Sequence, residues 1–230
     1  MASDVRAVWR SPLFDRLGAA TYDFFVERER LARLGGALVW GTDTRLLYGS
    51  LDAIAAAPDG SAVLDVPCGG GVAFRALRPQ QRVRYVAADL SPGMLRRARR
   101  EAERRRLTQI EFVEADVESL PFEAASFDLC VCLNSIHCFD DPAVALREIA
   151  RCLRPGGRLI GDAALRGRGR RYDLAIGFYR RQGIFGPGGT ASDLERWLAE
   201  AGLEDRRIRL SGAIGYFEAA RASGAGRRAV

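Results

Sequence analysis

Three aspartates and one histidine stand at or just beyond the ends of apolar runs: Asp65 in "VLDVPCGGG", Asp89 in "VAADLSPGML", Asp116 in "EADVESLPF" and His137 in "LNSIHCFDD". The first run breaks at once into Pro67, Cys68 and three glycines, so the backbone turns tightly, and at Gly69 and Gly71 a ligand can approach the main chain closely. Asp65, at the strand end, can accept hydrogen bonds from a polar ligand. Asp89 follows the glycines by about 20 residues, the separation at which an acid takes both hydroxyls of a ribose. Asp116 can accept from an exocyclic amine while Val117 packs on a ring. An adenosine with a cationic, amino-acid-bearing tail would meet an acid at each end, which describes S-adenosylmethionine. The dinucleotide spacing GxGxxG is absent. His137 is the only histidine, and its unperturbed pKa of about 6.5 suits a general base near neutral pH.

These residues work together only if the elements before them end at one edge. Segments 62 to 66, 83 to 88, 110 to 114, 127 to 133 and 158 to 163 read as short strands, separated by helix-length stretches. That alternation predicts an α/β, doubly wound, mostly parallel sheet covered on both faces, with its ligand outside the carboxyl ends of the strands. Ser91-Pro92 and Asp141-Pro142 each place a cap before a proline at the first helical position. "SDLE" reads as a capping box of Ser192 and Glu195 that opens a helix stopped by Gly202.

The chain divides as one domain, 1–230. Residues 1–57, through "FDRLGAATYDFFVERERLARL" and "TRLLYGSLDAIAAA", read as an N-terminal helical cap, 58–165 as the cofactor-binding core, 166–190 as a lid insertion, 191–220 as the C-terminal part of the sheet and 221–230 as a disordered tail. In the lid, Tyr172, Leu174, Ala175, Phe178 and Tyr179 give a helix a partly aromatic face, and Gly186-Pro187-Gly188-Gly189 reads as its hinge. Trp40, Tyr22 and Tyr48 are further aromatic candidates in the cap. An apolar or aromatic small molecule is the guest such a lining fits.

Composition excludes several classes. With 230 residues and 48% hydrophobic content, the chain can bury a sizeable core. No apolar run nears the roughly 18 residues of a membrane span and no signal peptide is legible, so a soluble cytoplasmic protein is expected. Cys68, Cys130, Cys132, Cys138 and Cys152 are odd in number and lack CxxC spacing, which suggests neither a disulfide framework nor a metal site. The net charge of +6 is carried wholly by arginine. Its densest run, "RRARREAERRRL" from Arg96, puts Leu95, Ala98, Ala102 and Leu107 near one helix face and reads as a solvated surface, not a nucleic-acid stripe.

The succession "VLDVPCGGG", "VAADLSPGML", "IEFVEADVESLPFEAASFDLCVCLNSIHCFDDPAVALREIARCLRPGGRLI" resembles the class I S-adenosylmethionine-dependent methyltransferases, in the branch of the ubiquinone/menaquinone C-methyltransferases and small-molecule O-methyltransferases. The resemblance is dense over residues 60 to 165 and looser over 192 to 219. It implies a Rossmann-like sheet of seven strands. It implies that Asp65, Pro67, Cys68, Gly69 and Gly71 cradle the methionine end of S-adenosylmethionine, Asp89 and Leu90 the ribose, Met94, Asp116 and Val117 the adenine, and Leu133 and Asn134 the methionyl amino side. Pro67 departs from the glycine usual there, and it removes an N–H from the cradle. In related O-methyltransferases a histidine and an acid after the fifth strand act together, here His137 and Asp162, and the resemblance then implies methyl transfer to oxygen of a small-molecule acceptor. C-methylation of a quinone-like ring, an RNA methyltransferase and a non-catalytic cofactor-binding scaffold are the alternatives. "LNSIH" lacks the NPPY-like platform of base-flipping enzymes. Thiols of Cys68 and Cys138 binding a soft substrate such as arsenite are a further alternative, against ordinary core packing. A monomer or homodimer is expected.

Overall fold

The computed structural model describes residues 5–11 and 36–223. The strands are β1 (Ala62–Asp65), β2 (Arg84–Asp89), β3 (Ile110–Glu114), β4 (Phe127–Cys132), β5 (Leu153–Ala164), β6 (Leu203–Ser211) and β7 (Ile214–Arg221). They form one seven-stranded sheet of order β3-β2-β1-β4-β5-β7-β6. Neighbours among β1 to β5 are parallel, and β7 runs antiparallel to both β5 and β6. Order reverses at β1, which pairs with β2 on one side and β4 on the other. A doubly wound sheet opens its crevice at that reversal.

Period-two alternation sorts the strand residues into two cores. Leu64, Val86, Ala88, Cys130 and Cys132 face one way, against α5 (Pro142–Cys152) and α7 (Ala191–Glu200) through Leu146, Ile149, Leu194 and Leu198. Val63, Tyr85, Ala87, Leu129 and Val131 face the other, against α4 (Pro92–Arg105) and the short helices α2 (Arg45–Ser50) and α3 (Asp52–Ala55). Leu146 and Ile149 are fully buried, and each such side chain contributes about 1.5–3 kcal/mol. The caps at Ser91 and Asp141 form as expected: Ser91 Oγ accepts from Met94 N–H, and Asp141 Oδ1 from Ala143 and Val144 N–H. The remaining α-helices among the described residues are α1 (Val5–Arg10) and α6 (Arg170–Arg181), with a π-helical turn at Gly36–Trp40 and 3-10 turns at Val72–Ala76 and Ile136–Cys138.

Four readings need correction. The capping box of α7 is Thr190 with Asp193, not Ser192 with Glu195: Thr190 Oγ1 accepts from Asp193 N–H, and Asp193 Oδ2 accepts from Thr190 N–H. The helix begins two residues earlier than the S-x-x-E pattern indicated. β5 starts at Leu153, since the Pro155-Gly156-Gly157 bend keeps pairing through Phe127 and Leu153 before the ladder resumes. The Gly186–Gly189 stretch is pinned: Gly186 N–H donates to His137 O, a Cβ there would meet Phe139 O, and one at Gly189 would meet the Trp197 ring. Arg221 belongs to β7 and donates to Arg151 O, so it is part of the sheet and not of a disordered tail. Tyr22, the "FDRLGAATYDFFVERERLARL" pattern and residues 224–230 lie outside the described residues. Among the described residues no helix is long and apolar enough to cross a membrane.

Candidate active site

The carboxyl ends of β1, β2, β3 and β4 surround a solvent-open cleft. Val66, Pro67 and Gly69 come from the turn after β1, Asp89 and Leu90 from the end of β2, and Met94 from the first turn of α4. Ala115 to Glu118 follow β3, Leu133 to Ser135 and Cys138 to Asp140 follow β4, and Val5, Arg6 and Trp9 of α1 roof the space.

Asp89 is built into the floor. Its Oδ2 accepts from Gly69 N–H at 2.9 Å and its Oδ1 from Ser91 N–H at 2.8 Å, so each oxygen keeps a lone pair for a ligand. Burial pushes its pKa up to about 6, with the N–H groups of Ser91, Gly69 and Leu90 pulling it back, and it is ionised at neutral pH. Gly69 sits at φ +52 with nothing within 4 Å of where a Cβ would stand. Its open side faces the cleft. Pro67 interrupts no backbone bond of the turn, because the anchoring bonds are made on either side of it: Val66 N–H to Val131 O and Cys68 N–H to Ala88 O.

At the opposite end, Asp116 Oδ1 accepts from Glu118 N–H and its Oδ2 lies 3.1 Å from Arg6 Nε. Arg6 also reaches Glu118 at 2.5 Å and Asp140 at 3.2 Å. Asn134, at φ +50, lies in the left-handed region and donates its N–H to Asp162 Oδ1 at 3.1 Å. Asp162 is 1% exposed, and burial raises its pKa to about 7 against the pull of that N–H. Its observed work is to hold the turn that presents Asn134.

Pro67, Gly69, Asp89, Leu90, Met94, Asp116, Val117, Leu133 and Asn134 therefore line the cleft as the sequence indicated, and Asp65, Cys68 and Gly71 do not. Asp65 is 1% exposed and accepts from Tyr85 OH at 3.0 Å beneath the turn, with burial raising its pKa to about 8. Cys68 is buried, and burial pushes its thiol up. Gly71 is required by packing, since at φ +89 a Cβ would stand 2.5 Å from the Phe74 ring. Cys138 lines the cleft, and burial raises its thiol too. Among the described residues no three histidine, cysteine or acidic groups cluster as a metal site would need.

His137 and Asp162 are not partnered with each other. His137 Nδ1 accepts from Ala164 N–H at 3.1 Å, and its ring meets the Phe185 edge with centroids 4.3 Å apart. Burial depresses its pKa to about 3. An imidazole accepting at Nδ1 carries its neutral proton on Nε2, so in this arrangement it offers a donor and not a base. Phe185 stacks on Tyr179 at 4.9 Å, and Trp40 lies 6.1 Å from both, so with His137 they make an aromatic wall, none of whose four rings is among the residues that line the cleft. Of the predicted lid aromatics, Tyr172 is buried and Tyr179 joins the wall, whereas Leu174 and Phe178 face outward. Tyr48 lies instead under the Arg75 guanidinium and packs on the core behind the sheet.

Sequence reasoning missed Arg6, Trp9, Glu118, Ser135, Phe139, Asp140 and Phe185. Glu118, Ser135, Phe139 and Asp140 lie inside the quoted motifs and could have been read from adjacency to Asp116 and His137. Arg6 and Trp9 carried no signal, because their contacts span 112 and 175 residues.

Residues 64–161 match the family described as "Methyltransferase domain". The chain is similar to a phthiotriol/phenolphthiotriol dimycocerosates methyltransferase of Mycobacterium leprae (strain TN), 38% identical over 104 residues, which are 44% of this chain and 36% of that protein. It is also similar to a demethylmenaquinone methyltransferase of Clavibacter sepedonicus, 34% identical over 154 residues, 65% of this chain and 56% of that one. The matched stretch thus spans between about a third and just over half of these relatives' length. Among solved structures, Haemonchus contortus phosphoethanolamine N-methyltransferase 2, in complex with phosphomonomethylethanolamine and S-adenosylhomocysteine, superposes with a TM-score of 0.75 at 15% identity, covering 96% of this chain and 61% of that chain. At that identity the likeness concerns the fold.

Proposed function

We propose that this chain, whose residues 64–161 match the methyltransferase-domain family, transfers the methyl group of S-adenosylmethionine to a small lipophilic acceptor. The observation that carries this reading is the fixed, ionised Asp89 at the floor of a cleft whose other walls are Pro67, Leu90, Met94, Val117 and Leu133. Those residues fit an adenosine: Asp89 would take the ribose hydroxyls, Met94 and Val117 the ring, Asp116 the exocyclic amine, and Gly69 and Asn134 the methionine end. When bound, the cofactor supplies an electrophilic methyl group on a sulfonium. The chain's residues hold the acceptor in line with it and exclude water, which is where most of the catalysis of such a displacement lies.

The aromatic wall of Trp40, Tyr179, Phe185 and His137 supports an apolar or aromatic acceptor. Two relatives agree in kind, since their names specify phthiotriol lipids and demethylmenaquinone. Transfer to oxygen with His137 as general base is the finer form of the proposal, and it requires the ring to release Ala164 N–H first. Transfer to a quinone-like ring carbon, or to an acceptor that arrives ionised, asks no such movement of His137.

Calorimetric titration with S-adenosylmethionine and S-adenosylhomocysteine tests the cofactor reading. Binding is expected in the wild type and should weaken by about tenfold or more in Asp89→Ala, where a charge-assisted acceptor pair is lost. No binding by the wild type would overturn the proposal. For His137→Ala the resting geometry predicts unchanged S-adenosylhomocysteine affinity and a fall in kcat/KM of less than about tenfold; a fall of about 10²–10⁴ would establish the base.

A further inference from the structure

Among the described residues the exposed large apolar side chains are Leu38 (74%), Val39 (43%), Leu174 (72%), Phe178 (57%) and Leu210 (39%). The first four lie on two elements that touch, the π-helical turn Gly36–Trp40 and α6. On α6, Arg170, Leu174, Phe178 and Arg181 recur at spacings of four, four and three, so they form one outward stripe with a guanidinium at each end. The opposite face of the same helix is buried through Tyr172 and Ile176. Arg170, Arg180 and Arg181 are exposed and pair with no acid among the described residues.

Scattered exposed leucines need no explanation, but four large exposed apolar side chains on two elements in contact mark a surface that something covers. The surrounding charge selects the occupant. A second copy laid along the stripe, in either direction, would set arginines against arginines. An acidic, apolar-cored surface matches both features at once, and a bilayer with anionic headgroups is such a surface.

We propose that the patch formed by Leu38, Val39, Leu174 and Phe178, flanked by Arg170 and Arg181, docks on an anionic lipid bilayer. The apolar side chains enter the headgroup boundary and the guanidinium groups meet the phosphates. The use of this docking rests on the lipophilic-acceptor reading: Tyr179, on the same helix, belongs to the aromatic wall, so an acceptor could pass from bilayer to wall without crossing water.

The test is co-sedimentation of the full chain with phosphatidylcholine vesicles, with and without phosphatidylglycerol. Binding is expected only with phosphatidylglycerol. It should fall by about tenfold or more in Leu174→Ser/Phe178→Ser, and by roughly fivefold for each charge lost in Arg170→Ala and Arg181→Ala. All four side chains are exposed, so thermal melting and S-adenosylhomocysteine affinity should match the wild type. Equal binding to both vesicle types, no binding, or binding indifferent to Leu174→Ser/Phe178→Ser would overturn the proposal. A homodimer in light scattering that this double variant dissolves would overturn it too, by naming a second copy as the occupant. Sedimentation needs no methyl acceptor and no turnover, so its failure leaves the proposed activity standing, and the absence of turnover leaves the docking result standing.

Discussion

Asp65 and Asp89 end neighbouring strands, and burial raises both carboxyls. Three backbone N–H groups hold Asp89 near 6, whereas Asp65 has only the Tyr85 hydroxyl and rises to about 8, helped upward by the charge of Asp89. The ordinary value is 3.8, so the folded protein keeps a proton on Asp65 that the unfolded chain releases once the pH exceeds it. A raised folded-state pKa contributes stability that is fully present below pH 3.8 and lost as the pH rises toward 8. Asp65→Asn keeps an acceptor for Tyr85 and cannot ionise. Its melting temperature should therefore fall less than the wild type's between pH 5 and pH 8, with about 2–4 °C of difference for each kcal/mol of penalty removed. Parallel melting curves for the two proteins would show that Asp65 ionises freely. The position of Asp65 at a strand end was legible in the sequence. Its burial was not, because that depends on a tyrosine one strand away whose ring fills the space below the turn.

At the scale of elements, legibility followed how local the determining interaction is. The strands β1 to β4 were readable within a residue or so, since their apolar runs end at aspartate, glutamate or asparagine. Ser91 and Asp141 were readable because a proline at the first helical position fixes where the cap must stand. α7 has no such proline, and three capping candidates, Thr190, Ser192 and Asp193, compete within four residues. The chain resolves this through Leu165, which bridges to Gly189 and sets the preceding backbone extended at Thr190. Thr190→Ala should then cost about 0.5–2 kcal/mol in denaturant unfolding, and Ser192→Ala less than about 0.5. Equal costs would return the cap to Ser192. The outward turn of Leu174 and Phe178 was equally illegible, since an apolar helix stripe looks the same in sequence whether it meets a core or a bilayer.

Over the whole molecule, α1 joins the ends of β3 and β4 to the segment after α6. Arg6 spans Asp116, Glu118 and Asp140 beyond β3 and β4, while Trp9 Nε1 donates to Ile184 O just after the lid helix. Val5, Arg6 and Trp9 also line the cleft, so the prediction is that a ligand lying on Asp89 leaves by displacing this helix. Arg6 keeps 39% of its side-chain exposure, and each pair alone is therefore worth little. Three acids on one guanidinium form a network, and salt screens its exposed part. Arg6→Ala should speed S-adenosylhomocysteine dissociation in stopped-flow displacement by about fivefold to tenfold. Added salt should speed release from the wild type and leave the variant nearly unchanged, because the variant has already lost what salt weakens. If both proteins release ligand at the same rate and with the same salt dependence, α1 is a fixed wall and exit lies on the side of α6. If the variant is faster and salt-indifferent, the residues that close the cofactor cleft are ones whose partners lie more than a hundred positions away in the chain.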